Sequence, residues 1–592
     1  MSAVSQRVRY MMVALFLAWL GLVILTRPAH GAWGADPITV HATAALCPAV
    51  SAIDDGHYGA LVVWQENDAA GGHLKAQHVL ANGDLDPAWG DGVAVSDVDA
   101  ARGALGAVSD ASGGAYLWWM QDAMLFLTHV SAGGAITPGW SAHGRNLGTL
   151  PGSAGRPAAT ADGSGGIYLG WLSFQIPFGS TSTYVRAVHL GPAGLGVGGW
   201  PTSGRAVTSP SDPDVIVNSF GLDRASDGGV WLAWQTLQAG PMGSALPGEV
   251  RAVRLTPAGA PAGGWTADGV LLAPYDTGFM AHDHGWMMSQ PASLVAAAHD
   301  DEAGAFVVST QGEWDGANVV FHATVRHLGP AGAPAPGWTP DGQPLGDILG
   351  DAAFEGPEAS MRAFADQKGG VLAGVPFFGS EFSALTFFSR LSPDGAPLDG
   401  GIGTGQQGLE FAPRGDGGMF IASFKPSGAS GPYEPDAYIS VAQSDPGAGW
   451  YESKASPNAT RYGDVGLTAT GDGGAIFAWS QLVDRQGIFA IRLGTAGQVT
   501  SVPPTPVVGG PALRVRFVKG EGVRAVASLA GATNVDLALY DLAGRRVAQV
   551  RSDATLGADV LLPGTRDLPG GVYFARASDG KRQVDQKVLV LR

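Results

Sequence analysis

The stretch DGSGGIYLGW (Asp162 to Trp171) returns as SDGGVWLAW (Ser226 to Trp234) and as GDGGAIFAW (Gly471 to Trp479). A paired-glycine turn leading each time into an apolar run that ends in tryptophan marks a unit built many times over. Such turns stand at Gly56, Gly114, Gly166, Gly229, Gly304, Gly370, Gly418 and Gly474, which makes eight copies. Their spacing is narrowest between Gly370 and Gly418 and widest between Gly229 and Gly304, and all of it is of propeller-blade size.

Two further phrases complete the unit. A basic residue, Leu or Val and a glycine turn follow each apolar run: HVLANG at His78, HVSAGG at His129, HLGPAG at His189, RLTPAG at Arg254, HLGPAG at His327, RLSPDG at Arg390 and RLGTAG at Arg492. The copy expected near Gln443 has decayed. A Gly-Trp phrase then closes several units, as in GWSAHG from Gly139, GWPTSG from Gly199, GWTADG from Gly264 and GWTPDG from Gly337.

Strands that mix alternation with continuous apolar stretches, such as YLGWL and LVVW, are those of sheets covered on both faces. No long stretch shows the periodicity of an amphipathic helix. A four-stranded sheet of this kind cannot bury both faces alone, but sheets packed radially bury each face against a neighbour. The expected fold is therefore all-β: a seven- or eight-bladed β-propeller over 36–502, followed by a Pro/Gly linker at 503–511 and a small Ig-like β-sandwich at 512–592. The segment PITVHA (Pro37 to Ala42) resembles the last strand of a unit without its predecessors, so it is expected to complete the blade begun by the C-terminal copy. The tryptophans Trp64, Trp119, Trp171, Trp234 and Trp479 are expected to fill the space between blades.

The N-terminus carries Arg7 and Arg9 and then the apolar run from Met11 to Leu25. It reads as a signal peptide over 1–31, cut before Ala32, with Gly34 and Ala35 as a second candidate position and an uncleaved anchor as the alternative. No later stretch reaches the ~18 apolar residues that cross a bilayer. The single cysteine, Cys47, can form no internal disulfide and is expected as a buried apolar filler.

The formal charge is −17. The segment 511–592 holds 13 Lys and Arg against 8 Asp and Glu, a charge of +5, and the segment 1–31 adds three arginines, so 32–510 carries −25. An acidic propeller makes nucleic acid a poor partner, because that affinity rests on Lys and Arg neutralising phosphates.

Three separated motifs near the C-terminus carry a family resemblance: LYDLAGRRV (Leu539 to Val547), LPGGVYF (Leu568 to Phe574) and the terminal KVLVLR (Lys587 to Arg592). This region resembles the C-terminal sorting domain (type A) of type IX secretion substrates, a fold similar to the Ig-like domain of flagellar hook-capping proteins. The resemblance implies the type IX secretion machinery as a partner, passage through the outer membrane, and release or display at the cell surface. Asp541, Gly544, Arg545, Gly571, Tyr573 and Lys587 are the positions that match. An ordinary Ig-like adhesion domain is the alternative, and both imply the same sandwich.

Chemistry is sparse. The richest polar cluster lies in the longest interval between repeats, where His282, His284, His299 and Asp301 are candidate ligands for a divalent metal. The spacing of His282 and His284 puts both rings on one face of a strand. A solvated loop is the competing reading, and no other cofactor is evident. TGDGGAIF (Thr470 to Phe477) resembles the Asp-box turn of sialidase-like propellers, but clustered arginines, a nucleophilic tyrosine and a paired carboxylate cannot be placed. The basic series from His78 to Arg492 suits either a ring for an anionic ligand or strand-capping residues, the latter being favoured. The expected function is thus an exported, non-enzymatic binding protein for an extracellular glycan or protein. An extracellular propeller hydrolase acting on polysaccharide is the alternative.

Overall fold

The computed structural model describes Trp33 and most of 37–494 and 512–590; residues 1–32 and 495–511 lie outside the described residues. The chain divides into two compact units, Met1–Val502 and Pro503–Arg592. Among the described residues the structure is all-β apart from one helical turn at Pro87–Trp89.

The first unit has a propeller-like arrangement. Its described strands form eight four-stranded antiparallel sheets. Sheets 1 to 7 are each made of four consecutive strands, spanning 46–96, 106–149, 158–206, 215–273, 295–350, 362–405 and 410–454. Sheet 8 takes three strands from 462–493 and its outer strand from the N-terminal segment Ile38–Ala42, which pairs antiparallel with Gly487–Leu493. The first strand of each sheet packs on that of the next, and the first strand of sheet 8, Tyr462–Ala469, packs on that of sheet 1, Leu46–Asp54. The expected role of PITVHA is therefore the one observed.

The turn between first and second strands explains the paired glycines. In sheet 2, Gly113 has φ +86, a conformation open to glycine at no steric cost. A Cβ on Gly114 would lie 2.5 Å from both Asp110 Oδ2 and the Val130 carbonyl oxygen, so the second glycine is demanded by close approach. The same crowding recurs at Gly59, which shows that the first repeat is in register through Gly59 rather than Gly56.

The second-strand tryptophans are buried: Trp64, Trp119, Trp171, Trp234 and Trp479 are all at most 4% exposed. Trp119 shares a core with Leu61, Val63 and Trp89 of sheet 1, and Trp171 with Tyr116, Leu125 and Leu127 of sheet 2, so each fills the space between its own sheet and the preceding one. Cys47 is also buried, and burial, followed by the Glu66 carboxylate, pushes its thiol up to about 12.

A second tryptophan series joins sheets by hydrogen bonds. Trp89, Trp140, Trp200, Trp265 and Trp338 each donate Nε1–H to a turn carbonyl of the following sheet, of Ala132, Pro192, Pro257, Pro330 and Pro393 in turn, at 2.7–3.0 Å. Arg145 and Arg205 lie over the Trp140 and Trp200 rings, each 5.1 Å from the centroid, and bond the same turns of the next sheet.

In the second unit, a three-stranded sheet (Ala512–Val518, Gly522–Ser528, Asp559–Leu561) and a four-stranded sheet share one core. Val523 and Ala525 come from the first sheet, and Val535, Leu537, Leu539, Tyr573 and Ala575 from the second.

If Trp171 is a wedge between sheets 2 and 3, Trp171→Ala leaves a cavity and should cost ~3–5 kcal/mol. A lowered urea midpoint checks this, and an unchanged midpoint contradicts the wedge.

Candidate functional site

The recurring basic residues occupy one register position. His78, His129, His189, Arg254, His327, Arg390 and Arg492 lie on third strands, opposite Leu61, Tyr116, Tyr168, Trp231, Phe306, Leu372 and Ile476 of the second strands. Gln443 takes the equivalent place opposite Phe420 in sheet 7.

Each basic side chain meets an aspartate from the first turn of its own sheet. His78, His129, His189 and His327 bring Nε2 to within 2.8–3.0 Å of Asp55, Asp110, Asp162 and Asp300. Arg390 pairs with Asp366 at 3.3 Å. In sheets 4 and 8 the acid sits two positions further along the turn, at Asp227 and Asp472, and pairs with Arg254 and Arg492. The other carboxylate oxygen holds the turn: Asp110 Oδ1 accepts from the Ser112 and Gly114 amides, and Asp162 Oδ1 from Ser164 and Gly166. Each of these basic side chains is thus tied to the first turn of its own sheet, which fits the strand-capping reading, and His189, Arg254 and Arg492 reach on to carbonyls of the next sheet.

Burial acts to raise the Asp110 pKa, but the His129 contact and the two amide bonds outweigh it and leave it lowered. Asp55 is lowered in the same way by His78, His57 and Gly59 against its burial. For His78, burial acts to lower the pKa while Asp55 and Asp86 raise it further, and the net shift is upward.

The repeat breaks where sheet 8 meets sheet 1. Asp54 ends the first strand of sheet 1, and its Oδ1 is buried without a hydrogen-bond partner among the described residues. Burial, opposed by the Gly56 amide and reinforced by Asp55 and Asp472, brings its carboxyl up to about 6. Tyr58 has φ +69 and is exposed at a turn position that is glycine in sheets 2, 3, 4, 6 and 8. The Tyr58 carbonyl accepts from Arg492 Nη1 at 2.8 Å. A carboxyl near 6 can exchange a proton close to neutral pH.

The two ends of the sheets differ. Antiparallel order puts the first and third connections of a sheet at one end, and the second connection and the link to the next sheet at the other. All eight first turns have the same length, as in 55–59, 110–114 and 162–166. At the opposite end the connections range from the tight link between Asp68 and Gly71 to the whole of 274–294, between Ala273 and Val295. At the first end the third connections run to 13 or 14 residues in sheets 1 to 5 but shrink to 392–396 and 446–448 in sheets 6 and 7, so the constant feature there is the first turn, and the opposite end is the more variable.

The expected metal ligands divide accordingly. His282 and His284 belong to the long 274–294 connection, and with Asp301 they lie outside the described residues. His299 is described: its Nδ1 is 2.7 Å from Asp223 Oδ2, which also accepts from the His299 amide, while Asp223 Oδ1 accepts from Thr160. Asp223 thereby bridges the first strands of sheets 3, 4 and 5. Asp464 similarly accepts from the Val50 amide across the seam between sheets 8 and 1. Among the described residues no group of three or more His, Cys, Asp or Glu is placed to hold a metal ion.

In the C-terminal unit, Asp541 accepts from the Arg545 amide at 2.9 Å and from its Nε at 2.8 Å, closing a hairpin turn. Tyr573 is buried and donates to the Pro569 carbonyl. Gly571 pairs with Val590, and Lys587 with Phe574, on the last two strands, and Gly544 lies outside the described residues.

No family model matches the chain. No curated protein matches it either. Among solved structures it is similar to the polysaccharide lyase Uly1 at 9% identity and a TM-score of 0.38, covering 65% of this chain and 87% of that one. It is similar to the Hadza microbial sialidase Hz136 at 10% identity and a TM-score of 0.30, covering 62% and 73%. A protein of unknown function from Dyadobacter fermentans matches at 12% identity and a TM-score of 0.32, covering 57% and 93%.

Asp110→Ala should cost on the order of 3 kcal/mol, because it frees two turn amides and strands His129. Asp110→Asn, which keeps the Oδ1 acceptor, should cost less by urea denaturation. The lowered aspartates contribute stability above about pH 4 that is lost as pH falls through their folded values. The raised His78 contributes below about pH 6.5 and loses that contribution as pH rises through its folded value. Asp54, being raised, opposes folding when ionised. Asp54→Asn should therefore raise the melting temperature at pH 8 and change it little near pH 4.

Proposed function

We propose that the chain is an exported, eight-bladed β-propeller that binds an extracellular glycan or protein through its variable end, and that its C-terminal Ig-like domain sorts it through the type IX secretion machinery. The observation that carries the binding reading is the contrast between the eight first turns and the connections at the opposite end. Eight identical turn lengths serve packing, whereas connections as unlike as Asp68 to Gly71 and Ala273 to Val295 are the form that ligand-contacting loops take on a rigid scaffold. The recurring His, Arg and Asp residues pair with one another beside the first turns, where they brace the sheets.

An eight-bladed count is supported by eight successive four-stranded sheets, with the first and last in contact. The sorting reading is supported by the three terminal motifs and by the Asp541 to Arg545 turn. The export signal at 1–31 and the display or release of the protein outside the cell belong to the same proposal.

Glycan-array and pull-down binding should be lost when 275–294 is replaced by a short Gly/Ser linker, with the melting temperature retained. Binding that survives this replacement, together with replacement of 351–361, argues against the variable end. Cleavage of a polysaccharide by the purified protein favours the hydrolase instead. Removing 503–592 should leave the exported chain in the periplasm, and its appearance in the medium contradicts the sorting role.

A further inference from the structure

Trp33 lies 5% exposed just ahead of the strand that completes sheet 8. Its Nε1 donates to the Ala81 carbonyl in the third turn of sheet 1, at 3.1 Å. That carbonyl also accepts from Arg492 Nη1, at 3.0 Å.

The same convergence occurs inside the series. His189 and Trp200 of sheet 3 both bond the Pro257 carbonyl of sheet 4. Arg254 and Trp265 of sheet 4 both bond the Pro330 carbonyl of sheet 5. Arg492 and Trp33 therefore do for sheets 8 and 1 what His189 and Trp200 do for sheets 3 and 4. The packing agrees: a Cβ on Gly83 would meet the Trp33 ring at 3.2 Å, as one on Gly134 would meet Trp89 at 3.1 Å and one on Gly194 would meet Trp140 at 3.1 Å.

The N-terminal segment makes further ties to sheet 1. His41 Nε2 lies 3.1 Å from Glu66 Oε2, Thr43 donates to Glu66 Oε1 at 3.0 Å, and Lys75 holds the same carboxylate at 2.9 Å. His41 and Glu66 are both buried, and the Glu66 carboxylate gathers His41, Thr43 and Lys75 around one point.

From this geometry we infer that Trp33 is the closing clasp of the ring and that proteolytic processing of the exported chain ends ahead of it. The processing half rests on the export reading. Of the two candidate cut positions, the one before Ala32 keeps the clasp, and the one next to Gly34 and Ala35 removes it. A chain cut there would retain Ile38–Ala42 for pairing but would lose the indole that joins sheet 8 to sheet 1. Arg492 alone would then hold the Ala81 carbonyl, and the indole-sized space against Gly83 would be empty.

Intact-mass measurement of the protein recovered outside the inner membrane is the first test. A first residue at Trp33 or earlier, with the apolar run gone, is expected. A first residue at Ala35 or Asp36 overturns the inference while leaving export intact. An uncut N terminus overturns the processing half together with the signal-peptide reading. The second test is melting of chains that begin at Ala32. Trp33→Ala should lower the melting temperature by roughly 5 °C or more, and a chain beginning at Asp36 should match it. Trp33→Phe, which keeps a ring and loses the donor, should fall between Trp33→Ala and wild type. If Trp33→Ala fails to accumulate, Trp33→Phe decides, and a wild-type melt for it overturns the clasp.

Discussion

A four-stranded sheet with two apolar faces has no stable existence in water, and that constraint organises the first unit. Trp119 and Trp171 bury themselves against the sheet before their own, and Trp89 and Trp140 bond to the sheet after. Every sheet is therefore completed by its neighbours on both sides. A linear stack would leave two faces bare, so the contact between Tyr462–Ala469 and Leu46–Asp54 is what makes the rest sufficient.

In seven of the eight sheets a single carboxylate performs two tasks. One oxygen of Asp110 caps the backbone of a tight turn, and the other holds a histidine that lies against Tyr116, with ring centroids 4.3 Å apart. The indole of Trp140 meets the same two rings before reaching the next sheet. Turn geometry, side-chain charge and inter-sheet contact are thus coupled through one residue. Where that residue is Ala225 or Thr470, the acid has moved to Asp227 or Asp472 and the base is arginine, and in sheet 7 Arg414 takes its place and Gln443 that of the base.

Much of this arrangement is legible in the sequence, because a repeat states the same local rule many times. The paired glycines, the apolar runs and the basic phrase mark the strands and their order, and PITVHA marks the closing strand. The pairing of Asp with His or Arg escapes that reading, although a DxxxG turn precedes the base within the same unit, as with Asp110 and His129 or Asp162 and His189. Trp33 escapes it too, since AWGAD lacks the glycine that precedes several of the other tryptophans and looks like part of a leader. Asp54 is not recognisable in one dimension, because its raised pKa arises from burial in the assembled sheets, with the distant Asp472 of sheet 8 adding to it. The variable end emerges only once strand limits are known, and its loops carry no repeated pattern from which their roles can be read.

The pairing of Ile38 with Ala490 also sets an order in time. A chain made from its N terminus produces the outer strand of sheet 8 first and its partner last, so the outer strand waits unpaired through the synthesis of seven other sheets. Contacts of such large sequence separation carry a high loop-closure cost and form slowly. The nascent chain accordingly stays open, with sheet 1 lacking its covering neighbour, until the last repeat has emerged. A polypeptide whose closure is deferred in this way remains threadable for most of its synthesis, whereas a bundle that folds turn by turn does not.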